Sequence, residues 1–274
     1  MILSMLLAST LSAQTEYKND MTQVIINTSI GNIAVYQKIV PNTIPVIFLH
    51  GVYYDHNLWN YYTSKITDRT VITLDMPHHG KSKDITKKKW TMDDCAIMLI
   101  EILDSLEHKE VYAMGHSWGS MTILRASVRE PEKFKSIVLC NMPFNEGKFG
   151  TRLKFRFQHL MLPFRKFYTT QVAKAMFSPE SINSKPEIVE YLELSMSSLS
   201  NKEVRKTDNA VITKVDDGTQ YLDSLKVPAF ALKGNKDYVG TPKNIEMTVV
   251  EGAHSSPLEQ PEMVFEYIKK VIGK

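Results

Sequence analysis

The chain has 274 residues, of which 43% are hydrophobic and 23% are charged. This composition is typical of a folded globular protein and excludes a disordered chain, and the length accommodates one α/β domain with a large core. The formal net charge of +3 is too small to indicate nucleic acid as a partner.

Residues 1–21 are predicted to be a signal peptide and an N-terminal tail. Residues 2–13 are apolar with small residues, and a signal peptidase site fits between Ala13 and Gln14. The apolar run is too short to span a bilayer. Because no Lys or Arg precedes it, either the first Met is internal to a longer signal peptide or translation starts at Met21. Export to the periplasm or the exterior is favoured, and the protein is otherwise expected in the cytoplasm.

The first half of the chain predicts strands that alternate with helices. Val- and Ile-rich stretches at 24–28 and 31–40 predict a leading hairpin. Short continuous apolar runs predict strands buried on both faces of a parallel sheet. These runs lie at 45–50, 70–75, 110–116 and 136–140. Helical spacing predicts helices at 92–106, with Thr91 as the N-cap, and at 118–129.

The pattern changes between residues 142 and 219, where aromatic and basic residues are followed by polar helical stretches. Alternation returns with strands at 227–233 and 245–251 and a helix at 261–272. The predicted fold class is therefore α/β, with a mostly parallel central sheet flanked by helices. A helical cap at about 142–219 is predicted to be inserted in a domain that spans residues 22–274.

Cys95 and Cys140 fall in a predicted helix and a predicted strand. We expect both to be small buried apolar residues, although a single disulfide between them stays open. No Cys/His spacing for zinc is present, so neither a metal site nor a cofactor is predicted.

The strongest chemical signal is the sequence Gly-His-Ser-Trp-Gly at residues 115–119, at the junction of a buried strand and a helix. A sharp turn there exposes Ser117 at the carboxyl edge of the sheet. Gly115 and Gly119 are expected because β-carbons at these positions would collide with the neighbouring strand and helix. Ser117 is therefore the candidate nucleophile.

A serine hydroxyl needs a base, and the base needs an acid to orient it. His254 follows the last predicted strand and Asp237 follows the strand before it, so both lie at the edge where Ser117 emerges. The order Ser117, Asp237, His254 is the order used in this type of fold. Asn141 stands where some relatives place the acid, but an amide cannot carry the charge.

Acyl transfer also needs donors for the developing oxyanion. His50-Gly51-Val52 ends an earlier buried strand. The backbone N–H groups of Val52 and Trp118 are the predicted oxyanion hole. The alternative is that His50 and Gly51 form only a strand-ending turn with a core histidine.

Together these residues resemble the α/β-hydrolase superfamily, in its esterase, lactonase and proline-iminopeptidase-like branch. The matching stretches run from the first strands to the last helix, so the resemblance covers nearly all of residues 22–274. They are LHG followed by Trp59, DMPHHGKS, GHSWGS, KGNKD and EGAHSSPLEQPE. The resemblance implies an α/β-hydrolase fold and a cofactor-independent hydrolase. Ser117 argues against the dehalogenase and epoxide hydrolase branches, which use an aspartate nucleophile.

Two departures from the family pattern concern the turn after the fourth strand and the acid. His78 replaces a common glycine, and we expect little effect because His79 and Gly80 keep the turn. Only 17 positions separate Asp237 from His254, which leaves no room for the helix that usually lies between them. One sheet face near Asp237 is therefore expected to be less covered than usual.

The cap stretch from 144 to 177 interleaves aromatic with basic residues. The aromatic residues are Phe144, Phe149, Phe155, Phe157, Phe164, Phe167, Tyr168 and Phe177, and the basic ones are Arg152, Lys154, Arg156, Arg165 and Lys166. We expect amphipathic helices with aromatics on the core and cations in water. The alternative is an acyl pocket in which one cation binds a substrate carboxylate.

The leading functional prediction is hydrolysis of a small carboxylic ester or lactone through an acyl-enzyme. A proline-type aminopeptidase is an alternative if the cap supplies an acid, for which Glu180, Glu187, Glu190 and Glu193 are candidates. A C–C bond hydrolase and a non-catalytic ligand-binding scaffold also stay open. The expected partner is a small acyl substrate, without nucleic acid and without a stable membrane span.

Overall fold

The computed structural model describes residues 20–144, 149–242 and 244–273. Residues 1–19 of the predicted signal peptide and N-terminal tail lie outside the described residues. Within the described ranges, no helix is long and apolar enough to cross a lipid bilayer.

A single sheet of eight strands organises the described part of the chain. The strands are β1 Thr22–Asn27, β2 Asn32–Lys38, β3 Val46–Leu49, β4 Val71–Leu74, β5 Val111–His116, β6 Phe134–Cys140, β7 Ala229–Gly234 and β8 Met247–Val250. Their order is β1-β2-β4-β3-β5-β6-β7-β8. The first two strands pair antiparallel, and β2 also pairs antiparallel with β4. All pairs from β4 to β8 are parallel.

The sheet follows from the apolar runs of the sequence. Every residue of β3, β4 and β5 is buried, because helices cover both faces of a parallel sheet. The predicted α/β fold with its leading hairpin is confirmed. Since the strands from β4 to β8 run in the same direction, the loops that follow them meet at one edge of the sheet.

Helices flank the sheet and also form a separate insert. The flanking helices are α1 Asn60–Lys65, α2 Met92–Ser105, α3 Trp118–Arg129, α10 Ser256–Glu259 and α11 Pro261–Ile272. Those between β6 and β7 are α4 Phe149–Gln158, α5 Arg165–Met176, α6 Pro179–Ser184, α7 Pro186–Ser197, α8 Asn201–Asp208 and α9 Thr219–Asp223. Short 3₁₀ turns at His56–Trp59, Pro131–Lys133 and His159–Met161 and a π turn at Asn209–Thr213 complete the set.

Local signals in the sequence place the flanking helices. Thr91 caps α2, because its hydroxyl accepts from the Asp94 N–H while the Asp94 carboxylate accepts from the Thr91 N–H. Cys95 and Cys140 are both free and buried, as expected for small apolar residues.

The connection between β7 and β8 contains no helix within its described residues. Val249 of β8 is 53% exposed and Met247 is half-buried, which agrees with the expectation of a less covered face. His78, which replaces a common glycine of the family, has φ 72°. That left-handed backbone favours glycine, so a histidine there is strained by about 1 kcal/mol.

Candidate active site

Ser117 occupies the sharp turn between β5 and α3. Its backbone is strained, with φ 50° and ψ −107°, and its N–H donates to the Cys140 carbonyl over 2.9 Å. A β-carbon at Gly115 would lie 2.3 Å from the Ser120 nitrogen, and one at Gly119 would lie 2.2 Å from the Leu49 oxygen. Both glycines are therefore required for α3 to pack this closely on the strands.

A hydrogen-bonded relay joins Ser117 to two residues from the other end of the chain. The Ser117 hydroxyl lies 2.9 Å from Nε2 of His254, and Nδ1 of His254 lies 2.9 Å from Oδ1 of Asp237. Ser117 is 4% exposed and His254 is 1% exposed. Because a carboxylate accepts from Nδ1–H, Nε2 of His254 carries the lone pair that faces the serine hydroxyl.

Asp237 is held by three donors. Besides His254, the Asn141 side-chain amide donates to Oδ2 over 2.7 Å, and the Val239 N–H donates to Oδ1 over 3.2 Å. Burial by itself raises the pKa of Asp237, but the hydrogen bonds and charge of His254 and the Asn141 amide outweigh burial. The pKa lies below its ordinary value, so Asp237 is a carboxylate at neutral pH.

The backbone of His254 is fixed by His116, the residue that precedes Ser117. Nε2 of His116 lies 2.7 Å from the His254 carbonyl oxygen, so the ring nitrogen donates. Burial lowers the pKa of His116 to about 3, and the ring is neutral at physiological pH. The turn that carries Ser117 thereby also positions the loop that carries His254.

Tyr238 covers the outer face of the His254 ring. The two rings stack with centroids 4.6 Å apart and an angle of 25°. The Tyr238 hydroxyl lies 3.2 Å from Nε2 of His254, although the side chain as a whole is 69% exposed. Two hydroxyl groups therefore compete for one lone pair on Nε2.

The loop after β3 lies directly beside the serine. A β-carbon at Gly51 would lie 3.2 Å from the Ser117 β-carbon, which places the 51–52 peptide next to Ser117. Within the described part of the chain, neither the Val52 N–H nor the Trp118 N–H has a hydrogen-bond partner. Both donors are therefore free to bind an anion or a polarised carbonyl oxygen.

Two buried histidines hold this loop in shape. Nδ1 of His50 donates to the Gly51 carbonyl over 2.7 Å, and its Nε2 accepts from the Met76 N–H over 2.9 Å. Nε2 of His79 accepts from the Tyr53 N–H over 3.1 Å. Burial lowers the pKa of both rings, that of His79 to about 3. Neutral imidazoles thus fix the loop, so the Val52 N–H needs little rearrangement to bind charge.

The insert is tied to the same loop through a buried acid. Asp208 ends α8, is fully buried, and accepts from the Tyr53 hydroxyl over 2.8 Å. Its other oxygen lies 2.8 Å from Nε2 of His159 and 3.3 Å from the Tyr168 hydroxyl. This cluster joins the loop after β3 to α5, α8 and the turn after α4.

The prediction that the cap aromatics pack on the core is only partly right. Phe144, Tyr168 and Phe177 are buried, but Phe157, Phe164 and Phe167 are 62%, 64% and 53% exposed. Phe155 is half-buried, and the side chain of Phe149 lies outside the described set, as does that of Arg152. Helical spacing of aromatics alone does not distinguish an inward from an outward face.

Among the residues that the structure describes, none of the predicted cap acids and cations forms a hydrogen bond or ion pair with Ser117, His254 or Asp237. The four predicted glutamates are exposed, and Glu180 pairs with Lys236 over 2.7 Å. Lys154, Arg156 and Lys166 are exposed, and Arg165 donates to the Leu199 carbonyl and to Asn201. Across the residues that the structure describes, no three His, Cys, Asp or Glu side chains are grouped to hold a metal ion.

The fold agrees with the comparisons. The family model described as alpha/beta hydrolase fold matches residues 44–248. The chain belongs to this family. It is 24% identical over 222 residues to the uncharacterized hydrolase YugF of Bacillus subtilis, covering 74% of this chain and 80% of that protein.

Two further relatives of this α/β hydrolase carry names that describe their reactions. The 3-oxoadipate enol-lactonase 2 of Acinetobacter baylyi is 22% identical over 243 residues, covering 84% of this chain and 88% of the lactonase. A thermophilic esterase from Thermogutta terrifontis has a TM-score of 0.79 at 19% identity, covering 92% of this chain and 98% of the esterase. At these identities the structural likeness shows the fold alone.

The structure thus brings together Ser117, His254 and Asp237, which the sequence singled out. Sequence reasoning missed the contacts of His116, Asn141, Tyr238 and Asp208. Their contact partners lie 16 to 155 positions away along the chain, and no spacing rule connects them. The unusual histidine in DMPHHG and the amide at Asn141 were the only sequence features that pointed to these contacts, and neither indicated which residue would be contacted.

Proposed function

We propose that this hydrolase cleaves a small carboxylic ester or lactone through an acyl-enzyme on Ser117. The observation that carries the proposal is the relay of two 2.9 Å hydrogen bonds from Ser117 through His254 to Asp237. The relay is buried beside two free N–H donors, that of Val52 in the loop after β3 and that of Trp118 at the start of α3. Both the enol-lactonase and the esterase named above act on C–O acyl bonds, which supports this substrate class.

In the first step the Ser117 oxygen attacks the carbonyl carbon while His254 takes the hydroxyl proton on Nε2. The Asp237 carboxylate stabilises the imidazolium and stays ionised. The carbonyl oxygen becomes an oxyanion, and the Val52 and Trp118 N–H groups donate to it. The C–O bond to the leaving group then breaks, and His254 returns its proton to the departing oxygen.

In the second step water attacks the acyl carbon of the ester on Ser117. His254 takes one water proton and then gives it to the Ser117 oxygen, which releases the carboxylic acid. A lactone gives a single hydroxy acid or its keto tautomer, because its leaving oxygen stays attached to the acyl chain. No electron transfer and no further reactant are needed.

The aminopeptidase alternative finds less support. Its candidate glutamates are exposed, and the buried acid of the insert, Asp208, already accepts from Tyr53, Tyr168 and His159. A substrate amine would have to replace these hydrogen bonds. The C–C hydrolase alternative needs a cation near Ser117, and Arg165 is engaged with Leu199 and Asn201.

Labelling with a fluorophosphonate, followed by mass mapping, tests the proposal. Ser117 should carry the label, and Ser117→Ala, His254→Ala and Asp237→Asn should each lose labelling and hydrolysis of p-nitrophenyl acetate. Ser105→Ala, an exposed serine in α2, is the matched control and should label normally. A folded wild-type protein that neither labels nor turns over would overturn the proposal in favour of a non-catalytic binding scaffold.

A further inference from the structure

An exposed apolar surface runs along the turn from α4 to α5. Its side chains are 37% to 64% exposed. They are Leu153, Phe157, Leu160, Met161, Phe164 and Phe167, and we refer to them as the cap patch. Single exposed apolar residues are normal on a soluble protein, but six within fifteen positions form an interaction surface.

The patch is the outer side of a segment whose inner side is fixed. His159 and Tyr168 are buried and contact Asp208, and Leu162 is also buried. Leu160 and Phe167 stand next to these anchors in sequence but point to solvent. These buried residues hold the segment in one orientation, so the side chains of the cap patch face solvent because of how the segment packs.

The charge of the surrounding segment is entirely of one sign. Residues 147–179 contain seven Lys or Arg and no Asp or Glu, whereas the rest of the chain has 26 basic and 30 acidic residues. Lys154, Arg156 and Lys166 are exposed within the patch. None of these three forms an ion pair with a residue that the structure describes. The excess positive charge of the protein is thus concentrated here.

We propose that the cap patch docks on an anionic lipid surface. Aromatic and aliphatic side chains enter the boundary between headgroups and acyl chains, while interleaved cations bind the anionic headgroups. A second copy of the chain fits this surface poorly. A symmetric dimer through the patch would place two acid-free basic segments against each other, and like charges repel.

Docking of this kind does not require a reaction at Ser117, so the docking proposal is tested independently of the proposed hydrolysis. It also places the insert, and the loop of Tyr53 beneath it, close to the lipid surface.

Cosedimentation of the full chain with vesicles tests the docking. Wild type and Ser117→Ala should bind phosphatidylcholine vesicles that contain phosphatidylglycerol, and bind pure phosphatidylcholine vesicles much more weakly. Added salt should weaken the binding. The double variant Lys154→Glu, Lys166→Glu should lower partitioning by at least about 30-fold. The double variant Phe157→Ser, Phe164→Ser should lower it on the order of 10-fold or more.

Matched controls come from the opposite edge of the sheet. Ile39 is 65% exposed after β2, and the exposed Lys109 and Lys226 precede β5 and β7. Ile39→Ser and the double variant Lys109→Glu, Lys226→Glu should bind as wild type does. Patch variants should keep the wild-type rate on a soluble ester.

Three results would overturn the docking proposal. One is wild-type protein that stays in solution with anionic vesicles at low salt. Another is binding that the control variants lose as much as the patch variants. The third is a concentration-dependent dimer in sedimentation velocity that Phe157→Ser abolishes, which would assign the patch to a second copy of the chain.

Discussion

The Asn141 amide donates to Oδ2 of Asp237 over 2.7 Å, and the same nitrogen lies 3.1 Å from the Ala253 carbonyl oxygen. Asn141 directly follows β6 with φ 51°, Asp237 follows β7, and Ala253 precedes His254. One side chain therefore joins three adjacent loops at the carboxyl edge of the sheet. An amide at this position supports the acid without competing with it for a proton.

Asn141→Gly should lower kcat on p-nitrophenyl acetate by about 10- to 100-fold, because a hydrogen bond to a charged group contributes about 1.5–3 kcal/mol. Glycine suits the positive φ, so the change isolates the amide. Loss of a donor should also raise the pKa of Asp237, so activity at low pH should be lost at a higher pH than in wild type. The measurement is kcat against pH.

Asn42 has φ 59° and is exposed away from the site, so Asn42→Gly is the matched control and should leave kcat unchanged. An Asn141→Gly enzyme with wild-type kcat at every pH would show that His254 and the Val239 N–H alone hold Asp237.

His116→Leu should reduce kcat by up to about 100-fold, because the His254 backbone loses its donor and a small displacement of a catalytic group is costly. His116→Gln keeps an N–H donor at the same reach and should recover much of the rate. A positioning role predicts that kcat changes while KM changes little. His108→Leu, a half-buried histidine before β5, is the control. Equal losses in the Leu and Gln variants would contradict this role.

Tyr238→Phe should increase the rate of fluorophosphonate labelling by about 2- to 10-fold. The variant removes a competing donor from Nε2 of His254, and a neutral hydrogen bond contributes about 0.5–1.5 kcal/mol. The ring keeps its stacking contact, so the histidine stays covered. Tyr267→Phe, whose hydroxyl donates to the Ala231 carbonyl, should label as wild type does. Slower labelling of Tyr238→Phe would instead mean that the hydroxyl assists the reaction.

The folded protein should lose stability as the pH falls below about 6.5. Burial lowers the pKa of His79 and His116 to about 3 and that of His78 to about 4, whereas the unfolded chain protonates these rings near pH 6.5. The unfolded state therefore binds more protons than the folded state below pH 6.5. Each ring lowers the free energy of unfolding by about 1.4 kcal/mol per pH unit until the pH reaches the pKa of that ring in the folded state.

Urea unfolding at pH 7.5, 6 and 5 measures this loss. His79→Gln should flatten the dependence on pH by the share of one histidine. A free energy of unfolding that stays constant between pH 7.5 and 5 would contradict the assignment of neutral buried rings.

Local patterns in the sequence were sufficient to predict the sheet and the positions of Ser117, Asp237 and His254. Continuous apolar runs identify buried parallel strands, and the carboxyl ends of such strands meet at one edge. The bounds of α3, residues 118–129, were predicted to the residue, because the glycine turn and the end of the apolar spacing mark both ends.

The contacts that complete the site could not be predicted in this way. Tyr53 and Asp208 are 155 positions apart, and their pairing depends on how the insert folds back over the sheet. The exposed Phe157 and Phe164 were expected on the core because their spacing suits either face of a helix. Tertiary packing, rather than periodicity, decides both outcomes.

The outermost strand has a consequence for inactivation. β8 has four residues, lies at the edge of the sheet and is not covered by a crossover helix in the described residues. Asp237 comes before it and His254 follows it, while Ser117 follows β5 near the middle. Sheet edges open locally at a lower free energy than sheet centres. At low denaturant concentration, the protein should therefore lose hydrolytic activity while its circular dichroism spectrum is still that of the folded state.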